Sequence, residues 1–222
     1  MTATSRALPL TRELLAAAAQ LPTATLHEAA GKIGALPAAL KPVRPGMSLA
    51  GPALPVLSPP GDNLWLHRAI DAASDGEVLV VAFGPGAADP RQHGHWGEVM
   101  AVAAAARGIA GLVIDGGIRD GDQLAERGFA TFASSVCIRG TAKDPHGIGA
   151  VGEAVVIGGV TVNHGDLVVG DADGVVVIPA AAVDIVVREA RRREDSEQMI
   201  FDRLESGEST IDVYRLPAGG DA

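Results

Sequence analysis

The sequence predicts an α/β protein built on parallel β-α-β units, and three observations predict it. Apolar residues make up 47% of the 222 positions but aromatics only 3%, with 28 glycines. A core must then be assembled from Ala, Val, Leu and Ile, the composition of a compact α/β protein. Between 77 and 135, apolar runs of strand length alternate with stretches of helical spacing, the order that parallel sheets produce. Beyond 152 the pattern changes to short β-type runs punctuated by turn residues, which reads as hairpins.

The elements follow in order. "RELLAAAAQLPTATLHEAAGKIGAL" carries two short helical patterns parted by Pro22, the second beginning near Thr25 and closing at Gly31 or Gly34. "KPVRPGMSLAGPALPVLSPPGDN" mixes β-capable pieces with breakers, so an irregular strand or two is expected. In "GDNLWLHRAIDAA", Leu64, His67, Ile70 and Asp71 fall at helical spacing, and "EVLVVAF" (77–83) has the length of a buried strand. "GEVMAVAAAARG" (97–108) is a helix closed by Gly108, "GLVIDGG" a strand, "DGDQLAERG" a short helix and "FATFASS" a strand. After the hairpins of 152–179 comes a charged helix over about 180–206. No Gly-rich or charged linker divides the chain, which reads as one domain, 1–222.

A net charge of −9, with no basic cluster interleaved with aromatics, argues against a nucleic-acid partner. No apolar run approaches the length of a membrane span, and the N-terminal stretch is broken by Pro9, Arg12 and Glu13. One cysteine, Cys137, excludes an internal disulfide framework and fits a reducing compartment, so a cytoplasmic protein is expected.

Ligands of parallel α/β sheets bind outside the carboxyl ends of the strands, where loops lead into helix N-termini. The loop after 77–83 leads to Gly97-Glu98, and the strand at 111–115 leads to Arg119-Asp120. Parallel strands would bring Glu98, Arg119 and Asp120 to one edge, with the N–H groups of Glu98, Val99 and Met100 as a seat for a carboxylate. Two carboxylates and a guanidinium suit Mg²⁺ or Mn²⁺ with an oxyanion or enolate. A loop ion pair and a Glu at a helix N-terminus explain the same residues equally well.

"GEVMAVAAAARGIAGLVIDGGIRD" resembles the signature of the class II pyruvate aldolases that act on 4-hydroxy-4-methyl-2-oxoglutarate and 4-carboxy-4-hydroxy-2-oxoadipate. In that signature an acidic residue precedes Arg-Asp by twenty positions, here 99–118. "TATLHEAAGKIGAL", "PPGDN", "GTAKD", "VNHGDLVVGDADGVVVIP" and "RLESGESTIDVYRL" resemble further family segments in the same order. Glu98 stands where Asp is often found. The regulator of ribonuclease activity A belongs to the same family but typically lacks the Asp after the Arg, so Asp120 favours the enzyme branch.

The resemblance implies an αββα sandwich, phosphohistidine-swivelling-domain-like, assembled as a homotrimer or homohexamer with the C-terminal helix at the interface. It implies Mg²⁺ or Mn²⁺ held by Asp120, with Glu98 and a neighbouring subunit's Glu197, or Glu194, contacting the surrounding waters. The substrate would be an oxo acid with Arg119 on its enolate oxygen and its carboxylate at Gly97–Met100. Pyruvate would be released, and oxaloacetate decarboxylation would follow as a side activity.

Other residues carry blander readings. His93 and His95 in "HGHW" read as lining the pocket mouth or facing solvent, and His27 and His67 as packing or making a local hydrogen bond. Cys137 reads as a buried structural thiol and "GDADGVVV" as a turn, not a calcium loop. Turn chemistry accounts for Asp62 and Asn63, with a place near the substrate left open. Of Lys32, Lys41 and Lys143, only Lys143 stands near functional loops for a Schiff-base alternative. A methyltransferase reading lacks a Gly-rich cofactor loop.

Overall fold

A computed structural model describes residues 10–217. In chain order its elements are α1 (Arg12–Ala18), α2 (Thr23–Ala29), β1 (Lys41–Pro42), β2 (Leu49–Ser58), α3 (Leu64–Ala72), β3 (Val78–Phe83), β4 (Gly94–Trp96), α4 (Glu98–Ala106) and β5 (Gly111–Ile118). There follow α5 (Gly121–Arg127), β6 (Thr131–Val136), β7 (Ala150–Val151), β8 (Val155–Ile157), β9 (Val160–Val162), β10 (Leu167–Asp171), β11 (Gly174–Ile178), α6 (Val183–Glu205) and α7 (Thr210–Tyr214).

The main sheet runs β1-β6-β5-β3-β2-β10-β11, with β4 added beside β5 and β7 beside β2. The β2-β3, β3-β5 and β5-β6 pairs are parallel, as the alternation of strands and helices requires, and β10-β11 and β8-β9 are the expected hairpins. Side chains alternate across the sheet. In β3, Leu79 and Val81 point toward α3 and α4 with Leu66, Met100 and Ala104, whereas Val78, Val80 and Ala82 face an inner core with Phe132, Val155, Val168 and Val177. A third cluster packs α1, α2 and the first half of α6 on Leu167, Val169, Val176 and Ile178. The result is an α/β fold of helix, sheet, sheet and helix layers.

The Pro-rich stretch forms two strands, as expected, the two-residue β1 and the ten-residue β2, of which β2 is long and lies in the middle of the sheet. It tolerates Pro52 and Pro55 because its neighbours change along its length. Leu49–Pro52 of β2 pairs with β10 and Ala53–Ser58 with β3, so Pro52 lies outside the β3 ladder, and away from β3 Pro55 offers only its carbonyl, which accepts the Gly152 N–H at 2.8 Å. The second helix starts at Thr23, not Thr25, because Thr23 donates its N–H and hydroxyl to Asp171 at 2.8 and 2.7 Å. That contact also accounts for "GDADG": Asp171 accepts from Thr23 and Asp173 and closes the β10-β11 turn. No described helix is long and apolar enough to cross a membrane.

Candidate active site

Strands β3, β4 and β5 end on one edge, where α4 and α5 begin. Arg119 and Asp120 follow the last residue of β5, and Gly97 follows the last residue of β4. A cleft of about 240 Å³ opens there, lined by Arg119 and Asp120, by Gly97, Val99 and Met100 of the α4 start, and by Asn63, His67, His95 and Lys143.

The loop geometry brings Arg119 and Asp120 against the start of α4. Asp120 has left-handed backbone angles, φ 58° and ψ 41°, which few residues other than Gly, Asn and Asp accept. This turn swings its carboxylate back, so that the Glu98 N–H donates to Asp120 Oδ2 at 3.1 Å. Asp120 Oδ1 accepts nothing from the described residues. Arg119 is half-exposed, with Nε 3.8 Å from Asp120 Oδ2, and its guanidinium donates no hydrogen bond to a described residue. The close fit depends on two glycines. A Cβ at Gly97 would lie 2.5 Å from Asp120 Oδ2 and 3.1 Å from Arg119 Cγ, and one at Gly94 would lie 3.0 Å from Arg119 Cβ.

Of the expected N–H seat, one donor remains. The Glu98 N–H is taken by Asp120, the Met100 N–H turns back on Gly97 O at 3.1 Å, and the Val99 N–H has no partner among the described residues. Glu98 departs from expectation in its side chain. It does not line the cleft, because Arg127, the last residue of α5, donates Nε to Glu98 Oε1 at 2.7 Å. Helix α5 thus grips Glu98 twice, on the backbone through Asp120 and on the carboxylate through Arg127.

Glu197 lies on α6 beside Arg192, Arg193 and Tyr214, away from the cleft residues of its own chain. Its carboxylate is free of hydrogen bonds to described residues, whereas Glu194 Oε1 accepts from the Thr25 hydroxyl at 2.6 Å. The alternative carboxylate is therefore occupied in joining α2 to α6.

Sequence reasoning missed much of the remaining wall. His95 does line the cleft, one of the two places expected for it, but it does so from β4, fully buried, and does not face solvent. Its Nε2 accepts the Gly61 N–H at 3.0 Å, and burial pushes its pKa down to about 4, so the ring is neutral. Asn63 is buried and donates Nδ2 to the His95 carbonyl at 3.0 Å, and its Oδ1 has no partner among the described residues. His67 lines the cleft rather than packing in the core, and burial first, then the Lys143 charge, hold its pKa below the usual histidine value. Cys137 is half-buried, not buried, and donates Sγ–H to Gln92 O at 3.1 Å. The motif "PPGDN" did signal Asn63, and "GTAKD" did signal Lys143.

The donor set suits a hard cation. No three of His, Cys, Asp and Glu gather into a metal-binding group among the described residues, so a closed, protein-only site is not formed there. One carboxylate with a free oxygen in an open polar cleft is what Mg²⁺ or Mn²⁺ uses when most of its ligands are water and substrate.

A family model described as RraA-like, Aldolase/RraA, matches residues 23–177. A protein of Halalkalibacterium halodurans named "Putative 4-hydroxy-4-methyl-2-oxoglutarate aldolase" is 33% identical over 178 residues, 80% of this chain and 82% of that one. A crystal structure from Pseudomonas syringae pv. tomato is similar with a TM-score of 0.82 at 30% identity, covering 98% of this chain and 100% of that chain. Streptomyces coelicolor RraAS2, described as an unusual member of the RNase ES inhibitor RraA protein family, is similar with a TM-score of 0.74 at 28% identity over 87% and 98% of the two chains.

Proposed function

The chain belongs to the RraA-like, Aldolase/RraA family, and on that premise we propose that it is a divalent-metal-dependent pyruvate aldolase. It cleaves 4-hydroxy-2-oxo acids that carry further carboxylates, such as 4-hydroxy-4-methyl-2-oxoglutarate and 4-carboxy-4-hydroxy-2-oxoadipate, to pyruvate and a second oxo acid. Oxaloacetate decarboxylation is its side activity. The observation that carries this reading is the juxtaposition, in one cleft, of an Arg119 guanidinium that touches only Asp120, at 3.8 Å, and donates no hydrogen bond to a described residue, with the Asp120 Oδ1 and the Val99 N–H, neither of which has a partner among the described residues.

Asp120 would hold Mg²⁺ or Mn²⁺, and the cation, when bound, supplies Lewis-acid stabilisation of the enolate left when the C3–C4 bond breaks. The chain's own groups do the rest. The Val99 N–H at the positive end of α4 receives the carboxylate of the pyruvyl half, with Gly97 and Met100 shaping the seat. Arg119 donates to the oxygen at C2 as it becomes anionic, a contact stronger in the transition state than in the substrate. A water held by Glu98 and by Glu197 of the partner subunit takes the proton from the C4 hydroxyl and returns one to C3. Glu98 must exchange its bond to Arg127 for this duty. Glu197 rather than Glu194 is assigned because Glu194 is engaged by Thr25. This role requires a homotrimer or homohexamer in which α6 reaches a neighbouring cleft.

The test is pyruvate release from oxaloacetate and 4-carboxy-4-hydroxy-2-oxoadipate after EDTA treatment, then with Mg²⁺ or Mn²⁺ restored. Metal-restored release from both supports the reading. No release from either by folded protein would turn it to a second one, a non-catalytic regulator that binds a protein partner. The bond from the Glu98 N–H to Asp120, a purely structural use of that carboxylate, favours this second reading.

A further inference from the structure

The proposed mechanism uses Arg119, Asp120 and the start of α4, yet the cleft has a second wall. That wall is made by α3, which brings Asn63 and His67, and by the segment 137–149, which brings Lys143. Lys143 forms no ion pair with a described carboxylate, in a protein whose net charge of −9 offers many. It lies close enough to His67 to lower that histidine's pKa, so His67 is a neutral hydrogen-bond partner rather than a second fixed charge near neutral pH.

The segment carrying Lys143 is not a loose loop. It is fastened to the start of α3 at four points. Asp62 Oδ2 accepts the Asp144 N–H at 2.6 Å, Asn63 donates its N–H to Ala142 O at 3.1 Å, Ala142 donates its N–H to Gly61 O at 2.8 Å, and Trp65 Nε1 donates to Gly147 O at 2.8 Å. Three of these bonds flank Lys143 directly, two at Ala142 and one at Asp144. An acceptor is also left over in the wall, since Asn63 is buried and its Oδ1 has no partner among the described residues. A buried acceptor of this kind is costly unless water or a ligand hydroxyl meets it.

We infer that Lys143 and His67 form a subsite for a second carboxylate of the substrate, beyond the 2-oxo acid half, with Asn63 Oδ1 accepting a substrate hydroxyl between the two halves. Asp62 is the positioning residue: it holds the segment so that Lys143 faces the cleft. This inference rests on the proposed function for the orientation of the ligand. The selectivity itself is a matter of binding and is measured without turnover.

The direct test compares 2-oxoglutarate with 2-oxopentanoate, which differ by a carboxylate against a methyl group, by calorimetry on the full-length protein with Mg²⁺. Wild type should prefer the dicarboxylate by at least about tenfold, the usual worth of one charge-assisted hydrogen bond. Lys143→Met, which keeps the stem and removes the charge, should collapse that ratio to near one, Lys143→Arg should restore most of it, and Asp62→Ala should give an intermediate ratio.

The inference is overturned if Lys143→Met retains the wild-type ratio, or if wild type shows no preference. It is also overturned if borohydride in the presence of pyruvate traps an adduct on Lys143, which would assign the amine to covalent chemistry. A kinetic arm uses 4-hydroxy-4-methyl-2-oxoglutarate against the analogue with methyl in place of its distal carboxylate. Turnover of neither would refute the aldolase reading while the binding ratios still decide the subsite.

Discussion

Replacing Gly97 by alanine isolates the geometry of the site from its chemistry, because the substitution adds one methyl group and touches no reacting atom. Gly97 has φ −156° and ψ −173°, an extended conformation open to any residue, so backbone strain contributes nothing. The new Cβ would lie 2.5 Å from Asp120 Oδ2, 3.1 Å from Arg119 Cγ and 3.3 Å from Arg119 Nε. Relief to ordinary contact needs a shift of roughly 0.9 Å by the carboxylate and a few tenths of an ångström by the arginine.

Such a shift breaks the bond from the Glu98 N–H to Asp120, a loss of about 1–2 kcal/mol. Restricting the unfolded chain returns about 0.4–1 kcal/mol. Net stability should therefore fall by no more than about 1.5 kcal/mol. Misplacing the Asp120 carboxylate by close to an ångström, with Arg119 displaced by a few tenths beside it, costs about 10²-fold in rate. Thermal unfolding alongside oxaloacetate turnover reads both. A Gly97→Ala protein with kcat within twofold of wild type would refute the claim that the Arg119-Asp120 placement carries catalysis.

Two further outcomes concern stability. The folded pKa of His95 is lowered to about 4 from 6.5, so between these values the unfolded chain binds more protons. Stability from this group is then present above about pH 6.5 and is lost as pH falls toward 4, by about 3 kcal/mol in all, and His95→Gln should flatten chemical-denaturation midpoints across that window. Thr23→Val removes the hydroxyl bond to Asp171, whose carboxyl stays below the usual range because hydrogen bonds from Thr23 and Asp173 outweigh the opposing effect of burial. Denaturant titration should show a loss of about 1–3 kcal/mol at neutral pH that shrinks as pH drops through the carboxylate range.

The parallel core was legible because its signals are local. An unbroken apolar run at 78–83 and an Ala-rich helix ending before Gly108 state their structure without reference to neighbours. Arg119 and Asp120 were placed for the same reason, since a loop after a parallel strand has only one edge to occupy. What stayed hidden depends on partners distant in sequence. Nothing within "LAGPALPVLS" tells that β10 and β3 take turns beside the prolines.

The burial of His95 follows from Gly61, 34 residues away, and the turning aside of Glu98 from Arg127, 29 residues away. The extra methylene of Glu over Asp at position 98 gives that carboxylate the reach to leave the cleft edge, a choice that helix spacing cannot register. The left-handed turn at Asp120 was likewise invisible, because Asp also suits an ordinary helix cap.

The central claim is that Asp120 and Arg119 act on a 2-oxo acid with a divalent cation. The most direct measurement is oxaloacetate-dependent pyruvate release by EDTA-treated wild type, Asp120→Asn and Arg119→Lys as Mn²⁺ is titrated back, with circular dichroism confirming the fold of each. The account predicts saturable recovery for wild type, and at least about a 10²-fold lower plateau for both variants, with Asp120→Asn also requiring more metal. Equal plateaus in all three proteins, or release indifferent to EDTA and metal, would contradict it.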